Sequence, residues 1–189
     1  MLAFRPAPLR FVRSIGKSIS YSASSSRLFS NVKMGAPVIL CGKTEAIGTS
    51  VIADLKPEYE EQGHRTRTNS CGTVIHFILT PAGGAAQIPA ILKGEQSVPT
   101  DSELGSKDYS RSPICVILGG GYDDASIELM MAAAKDQGAR SVPWLRPDLS
   151  KPAPPLGPEY GKALVRRIKE LIPQLEREDK MNEAKAVFY

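Results

Sequence analysis

The chain is poor in the side chains that most often carry catalysis or metals. Of its 189 residues three are cysteine, Cys41, Cys71 and Cys115, and two are histidine, His64 and His76. An odd, widely spaced set of thiols argues against a disulfide framework, and no Cys-x-x-Cys or His/Cys spacing suits zinc, so no metal ligand is assigned. Cys41 and Cys115 fall at or inside strand-like runs, where a free thiol behaves as a small apolar residue. His76 lies within VIHFIL and reads as a packed strand residue rather than a base. Long apolar runs are also missing, so no membrane span and a soluble chain are expected.

Acids are absent from the beginning. Residues 1–33 carry Arg5, Arg10, Arg13, Lys17, Arg27 and Lys33 with no Asp or Glu, so the +4 of the whole chain leaves the body at −2. A slightly acidic body has no footprint for a phosphate backbone, which sets nucleic acid aside as a partner. Leu9, Val12, Ile15 and Ile19 fall roughly on one helical face, with Arg10, Arg13 and Lys17 on another. This is the composition of a mitochondrial presequence, and Arg27-Leu28-Phe29-Ser30 resembles a matrix-processing pattern. The alternatives are a disordered tail or a start placed too early. The first reading implies the mitochondrial matrix, and a start at Met34 the cytoplasm.

Residues 34–189 read as one domain, a size that suits a single core. Four short apolar runs, PVILC from Pro37, VIHFIL from Val74, ICVIL from Ile114 and SVPWL from Ser141, have the near-continuous apolarity of strands buried on both faces. Helical patterns lie between them. They cover Ile47 to Leu55, Gln87 to Leu92, Asp124 to Gln137 and Pro158 to Arg177, with a kink or frayed end at Pro173. Strand alternating with helix predicts a three-layer α/β/α sandwich around a Rossmann-like parallel sheet of about four to five strands. Ala186 to Tyr189 adds an edge strand or covers an edge. Two segments break the alternation. Residues 93–113 are polar and long enough for a lid or mobile loop. Residues 61–73 form an insertion before the second strand, either a surface loop or an unspliced segment.

The first glycine turn, Cys41-Gly42-Lys43-Thr44-Glu45-Ala46-Ile47-Gly48, holds a GKT that is no phosphate-binding P-loop, because the residues preceding it are strand and leave nothing to wrap a phosphate. It resembles instead the T-G-x-x-x-G-I-G turn of the short-chain dehydrogenase/reductase family, with Cys41 and Ala46 in place of Thr and the middle Gly. The resemblance implies an NAD(P) cofactor on Gly42, Lys43, Thr44, Ala46, Ile47 and Gly48, with Lys43 leaning toward NADP. It covers about fifteen residues. The family's Tyr-x-x-x-Lys is absent, since Tyr59, Tyr109, Tyr122 and Tyr160 all lack Lys four positions on.

A second glycine turn, Gly119-Gly120-Gly121, follows the third strand and leads into Tyr122-Asp123-Asp124, where either aspartate makes a good helix N-cap. By the rule that ligands bind beyond the carboxyl ends of parallel strands, Gly119 and Gly120 join the cofactor site, beside Thr80 to Gly84 and Trp144 to Asp148. Tyr122, Asp123, Asp124 and Arg146 are the candidate catalytic residues, Arg146 with Asp148 or Asp123 as its alternative ion-pair partner. Trp144 stacks on a ring or fills the core. The expected function is binding of a small-molecule nucleotide, NAD(P), in a small or accessory oxidoreductase. The alternative is a non-catalytic module that meets a protein partner through its lid and proline-rich segment.

Overall fold

The computed structural model describes residues 35–56 and 72–189. Residues 1–33, read as a presequence or tail, and residues 61–71, read as part of an insertion or loop, lie outside the described residues. Five strands, β1 (Pro37–Cys41), β2 (Thr73–Ile78), β3 (Val116–Leu118), β4 (Trp144–Arg146) and β5 (Ala186–Phe188), form one sheet in the order β2-β1-β3-β4-β5, every pair parallel. Four helices alternate with them, α1 (Glu45–Leu55), α2 (Pro81–Lys93), α3 (Asp124–Asp136) and α4 (Pro158–Arg177). The three-layer α/β sandwich stands as expected and is compatible with a Rossmann-like fold. Among the described residues no helix is long and apolar enough to cross a membrane.

Successive side chains of a strand point to opposite faces, so the apolar runs feed two cores. Val38, Leu40, Phe77 and Ile117 pack with Leu55, Leu164 and Ile168 under α1 and α4. Ile39, Cys41, Ile78 and Leu118 pack with Ile88, Ile127 and Met130 under α2 and α3. Full burial of each such side chain stabilises the fold by roughly 1.5–3 kcal/mol. Trp144, of which 2% is exposed, belongs to the second core and is no stacking platform.

The structure refines two expectations. First, α2 begins at Pro81, six residues before Gln87, so Thr80 to Gly84 is a cap and first turn rather than a loop. The Thr80 hydroxyl accepts from the Gly83 amide at 3.0 Å, and Pro81 lacks only a donor the first turn does not use. The glycines that suggested a loop allow close packing. A Cβ on Gly84 would overlap the Met130 sulfur.

Second, residues 93–113 are tied to the edge of the sheet and also reach the start of α1. Ser106 and Lys107 donate their amides to the Val74 and Ile75 carbonyls at 3.0 and 2.9 Å, so the segment is a strap along the free edge of β2. Its Ser102 is buried and donates to the Glu45 carboxylate. The fourth helix spans Pro158–Arg177 as expected, with Ile172 and Leu175 buried on either side of Pro173.

The strap also meets His76, which sits where β2 carries an extra residue against β1, the pairing stepping from Val38–Val74 to Ile39–His76. The buried ring is satisfied at both ends, with Nε2 2.7 Å from Gln87 Oε1 and Nδ1 2.7 Å from the Tyr109 hydroxyl. With Gln87 Oε1 as acceptor, Nε2 carries the proton and Nδ1 accepts from Tyr109. Burial lowers the pKa of His76 below its ordinary 6.5, helped by the Lys107 charge and opposed by the Gln87 bond and Asp101. The unfolded chain therefore takes up this proton first as pH falls. Stability from the neutral ring is full above the unfolded value and declines below it, with a slope of at most about 1.4 kcal/mol per pH unit. Denaturant titrations of wild type and His76→Asn should show a stability difference that narrows from about pH 7 to about pH 5. A difference that stays constant would show that His76 does not titrate in this way.

Candidate functional site

In a parallel sheet the order reverses where the chain leaves β1 for β2 on one side and later adds β3 on the other. That reversal opens a crevice beyond the carboxyl ends of β1 and β3. Both glycine turns stand there. The Gly42 amide donates to the Ile78 carbonyl at 2.9 Å and the Gly119 amide to the Cys41 carbonyl at 2.8 Å, which holds each turn to the end of a neighbouring strand.

Between the turns lies a cavity of about 320 Å³ that reaches down between the sheet and the α1 and α4 helices. Its floor is Leu40 and Ile117. Val51 of α1 and Leu164 and Ile168 of α4 form its walls, and Leu156 and the glycine turns contribute to its lining. It falls at the small end of the ~300–1,000 Å³ of ordinary small-molecule sites.

Of the residues assigned to a cofactor, Gly42, Lys43, Thr44, Ile47, Gly48, Gly119 and Gly120 line this cavity. Ala46 does not, and lies exposed on the first turn of α1. The glycines also answer to packing. A Cβ on Gly48 would lie 2.6 Å from the Phe77 ring, one on Gly42 3.0 Å from it, and one on Gly121 2.6 Å from Lys43 Cγ. At the start of α1 the Thr44 side chain makes no capping bond. The Lys43 ammonium lies over the Tyr122 ring, 4.6 Å from its centroid.

None of the four candidate catalytic residues lines the cavity. Tyr122 is buried, and its hydroxyl donates to the Ile78 carbonyl at 3.1 Å. Burial, with Cys41 and Asp101 nearby, raises its pKa well above the usual phenol. Asp123 is the N-cap of α3, accepting from the Ser126 amide at 2.9 Å, and that hydrogen bonding holds its carboxyl below the ordinary carboxylate value, with Lys43 adding to the shift. Asp124 pairs with Arg146 at 2.6 Å, where Asp148 or Asp123 was the anticipated partner. The Arg146 guanidinium lies 5.0 Å from the Phe188 ring centroid, and its buried Nε has no hydrogen-bond partner. These four side chains cap, pair and pack around the second turn. Among the described residues no group of three or more His, Cys, Asp or Glu is placed to hold a metal.

The sequence pattern missed Tyr160 and Tyr189. Tyr160 of α4 and Tyr189 beyond β5 both line the cavity. The available signal was the apolar stripe of α4, in which Tyr160 holds the first place. The absence of Lys four residues on had removed it from consideration as a catalytic tyrosine, a test that says nothing about lining a pocket.

A curated relative, "Kojic acid related protein 6" of Aspergillus oryzae (strain ATCC 42149 / RIB 40), is 35% identical over 159 residues, spanning 82% of this chain and 88% of the relative. The chain belongs to that protein's family. No family model matches the chain. No solved structure matches it either. Membership of the kojic acid related protein 6 family therefore extends over most of the body and is not confined to the glycine turn.

Proposed function

We propose that the protein binds a small organic ligand at the reversal between β1 and β3, seating an apolar body in the cavity between the sheet, α1 and α4. The observation that carries this is a cavity of about 320 Å³ with apolar walls, opening where two glycine turns bring backbone close. The relative's printed name ties that protein to kojic acid, a flat oxygen heterocycle bearing hydroxyl and carbonyl groups, which makes kojic acid a natural probe.

A second reading keeps NAD(P) on the Gly42 to Gly48 turn, in a small or accessory oxidoreductase. It is favoured by the absence of a side-chain cap on α1, whose first amides face an incoming anion, with Lys43 beside them. Weighing against it, Glu45 adds a negative charge in the same turn. The packing of Gly42 and Gly48 on Phe77 also gives both glycines a reason that involves no pyrophosphate.

Thermal unfolding with kojic acid, naphthol, NAD and NADP separates the two. A ligand at a hundred times its dissociation constant adds about 2.7 kcal/mol, which in a domain of this size raises Tm by roughly 5–10 °C. A rise with an uncharged ring compound alone supports the cavity reading. A rise with NAD or NADP alone supports the dinucleotide. No rise with any of them favours a module that acts on a protein partner.

A further inference from the structure

We infer that the ligand is a compact, uncharged ring compound carrying a carbonyl or hydroxyl oxygen, and that the Tyr160 hydroxyl is the group that binds this oxygen. The inference rests on the reading of the cavity as a ligand site. It follows from asking which polar atoms of the wall are still free to recognise anything. Tyr189 is committed, its hydroxyl donating to the Leu118 carbonyl at 2.7 Å from a buried position. Lys43 is held toward Tyr122 on the side of the second glycine turn. Tyr160 differs. Its oxygen reaches the second glycine turn, 3.0 Å from where a Cβ on Gly120 would stand, and makes no hydrogen bond among the described residues. Glycine at 120 keeps a side chain from crowding this hydroxyl, since a Cβ there would also stand 3.4 Å from Leu149 and 3.6 Å from Pro147.

Charge narrows the class further. Among the described residues no Asp, Glu or Arg lines the cavity, and Lys43 is the one charged residue of the lining. An ionised group carried between Val51, Ile117 and Ile168 would lose its hydration among apolar side chains. An uncharged ring loses little there, and one oxygen at its edge gains a phenolic donor that water otherwise satisfies. The cavity volume holds the ring system to a compact size.

The test uses naphthalene, naphthol and naphthoate with wild type, Tyr160→Phe and Val51→Phe, read by isothermal titration and by methyl NMR of the full chain. In wild type, naphthol should bind about tenfold more tightly than naphthalene, the worth of one added hydrogen bond. Tyr160→Phe should erase that difference and leave naphthalene unchanged. Val51→Phe should weaken both by filling the cavity. Should that variant not fold, shifts of the Leu40, Leu164 and Ile168 methyls in wild type locate the ligand instead. A naphthol preference that survives in Tyr160→Phe, with those methyls shifting, overturns the role of Tyr160 and leaves the cavity reading standing. Naphthoate binding more tightly than naphthol overturns the uncharged class. If none of the three moves the cavity methyls, the cavity reading fails and this inference fails with it.

Discussion

Gly105→Ala should unfold at a much lower denaturant concentration than wild type, with a loss of about 3 kcal/mol, because two independent penalties fall on one position. Gly105 has φ +96°, outside the range an L side chain adopts without strain. A Cβ there would also lie 2.7 Å from the Ile75 carbonyl oxygen and 2.9 Å from the His76 nitrogen, atoms of backbone that cannot rotate away. The neighbouring amides of Ser106 and Lys107 are bonded to β2, so the turn cannot shift without breaking those bonds. Gly94→Ala and Gly138→Ala are the controls. Both positions have positive φ, +88° and +64°, but nothing within 4 Å of the added carbon. Each should lose only about 1 kcal/mol. A Gly105 variant no worse than these would show that the strap is not packed on β2 as described. Faster exchange of the Ser106 and Lys107 amides, with global stability preserved, would show that the strap opens separately from the domain.

That comparison also marks what the sequence could not reveal. The strap is polar and turn-rich, and local pattern sees such a segment as a lid. What fixes it to the edge of β2 is a pair of backbone bonds, which carry no side-chain signature. The first three strands were legible because they are buried on both faces and write that burial as unbroken apolarity. β1 could be read to the residue, and the short tail Ala186–Phe188 was anticipated as an edge strand. α2 was truncated because Thr80-Pro81-Ala82-Gly83-Gly84 has the composition of a loop. Only the tertiary contact with Met130 shows why glycine sits in a helix there.

The cavity was legible in its place and its glycine-turn rim, and not in the helical part of its wall. The two glycine turns and the rule for parallel sheets placed a crevice beyond β1 and β3, and the cavity is there. The side chains chosen for chemistry were those adjacent in sequence to the second turn, Tyr122, Asp123 and Asp124, with Arg146 from the next strand. Folding gives them to a carbonyl, a helix cap and an ion pair. Part of the cavity wall comes from α4 and the last residue, far away along the chain, and no local motif marks such a contribution.

Phe77→Ala should be the most damaging single change near the cavity, with a loss of about 3–5 kcal/mol. The ring is fully buried, belongs to the core under α1 and α4, and faces both Gly42 and Gly48. Its removal opens space that joins the existing cavity, so relaxation recovers little. The same geometry predicts a reversal of sign at a second position. In wild type, Gly48→Ala is unfavourable, since its Cβ would lie 2.6 Å from the Phe77 ring, and overpacking of this kind costs about 1–3 kcal/mol. In the Phe77→Ala background that ring is gone, and the intrinsic preference of a helix interior for Ala over Gly, about 1 kcal/mol, should make Gly48→Ala stabilising. Leu104, whose side chain would be 3.3 Å from the new carbon, needs to give only slightly. In a double-mutant cycle read by denaturant unfolding, the double variant should therefore be less destabilised than the sum of the two single substitutions. If Gly48→Ala remains destabilising without the ring, Gly48 is required by something other than Phe77. Its place on the cavity wall, where a ligand's approach would demand a bare backbone, is then the explanation to pursue.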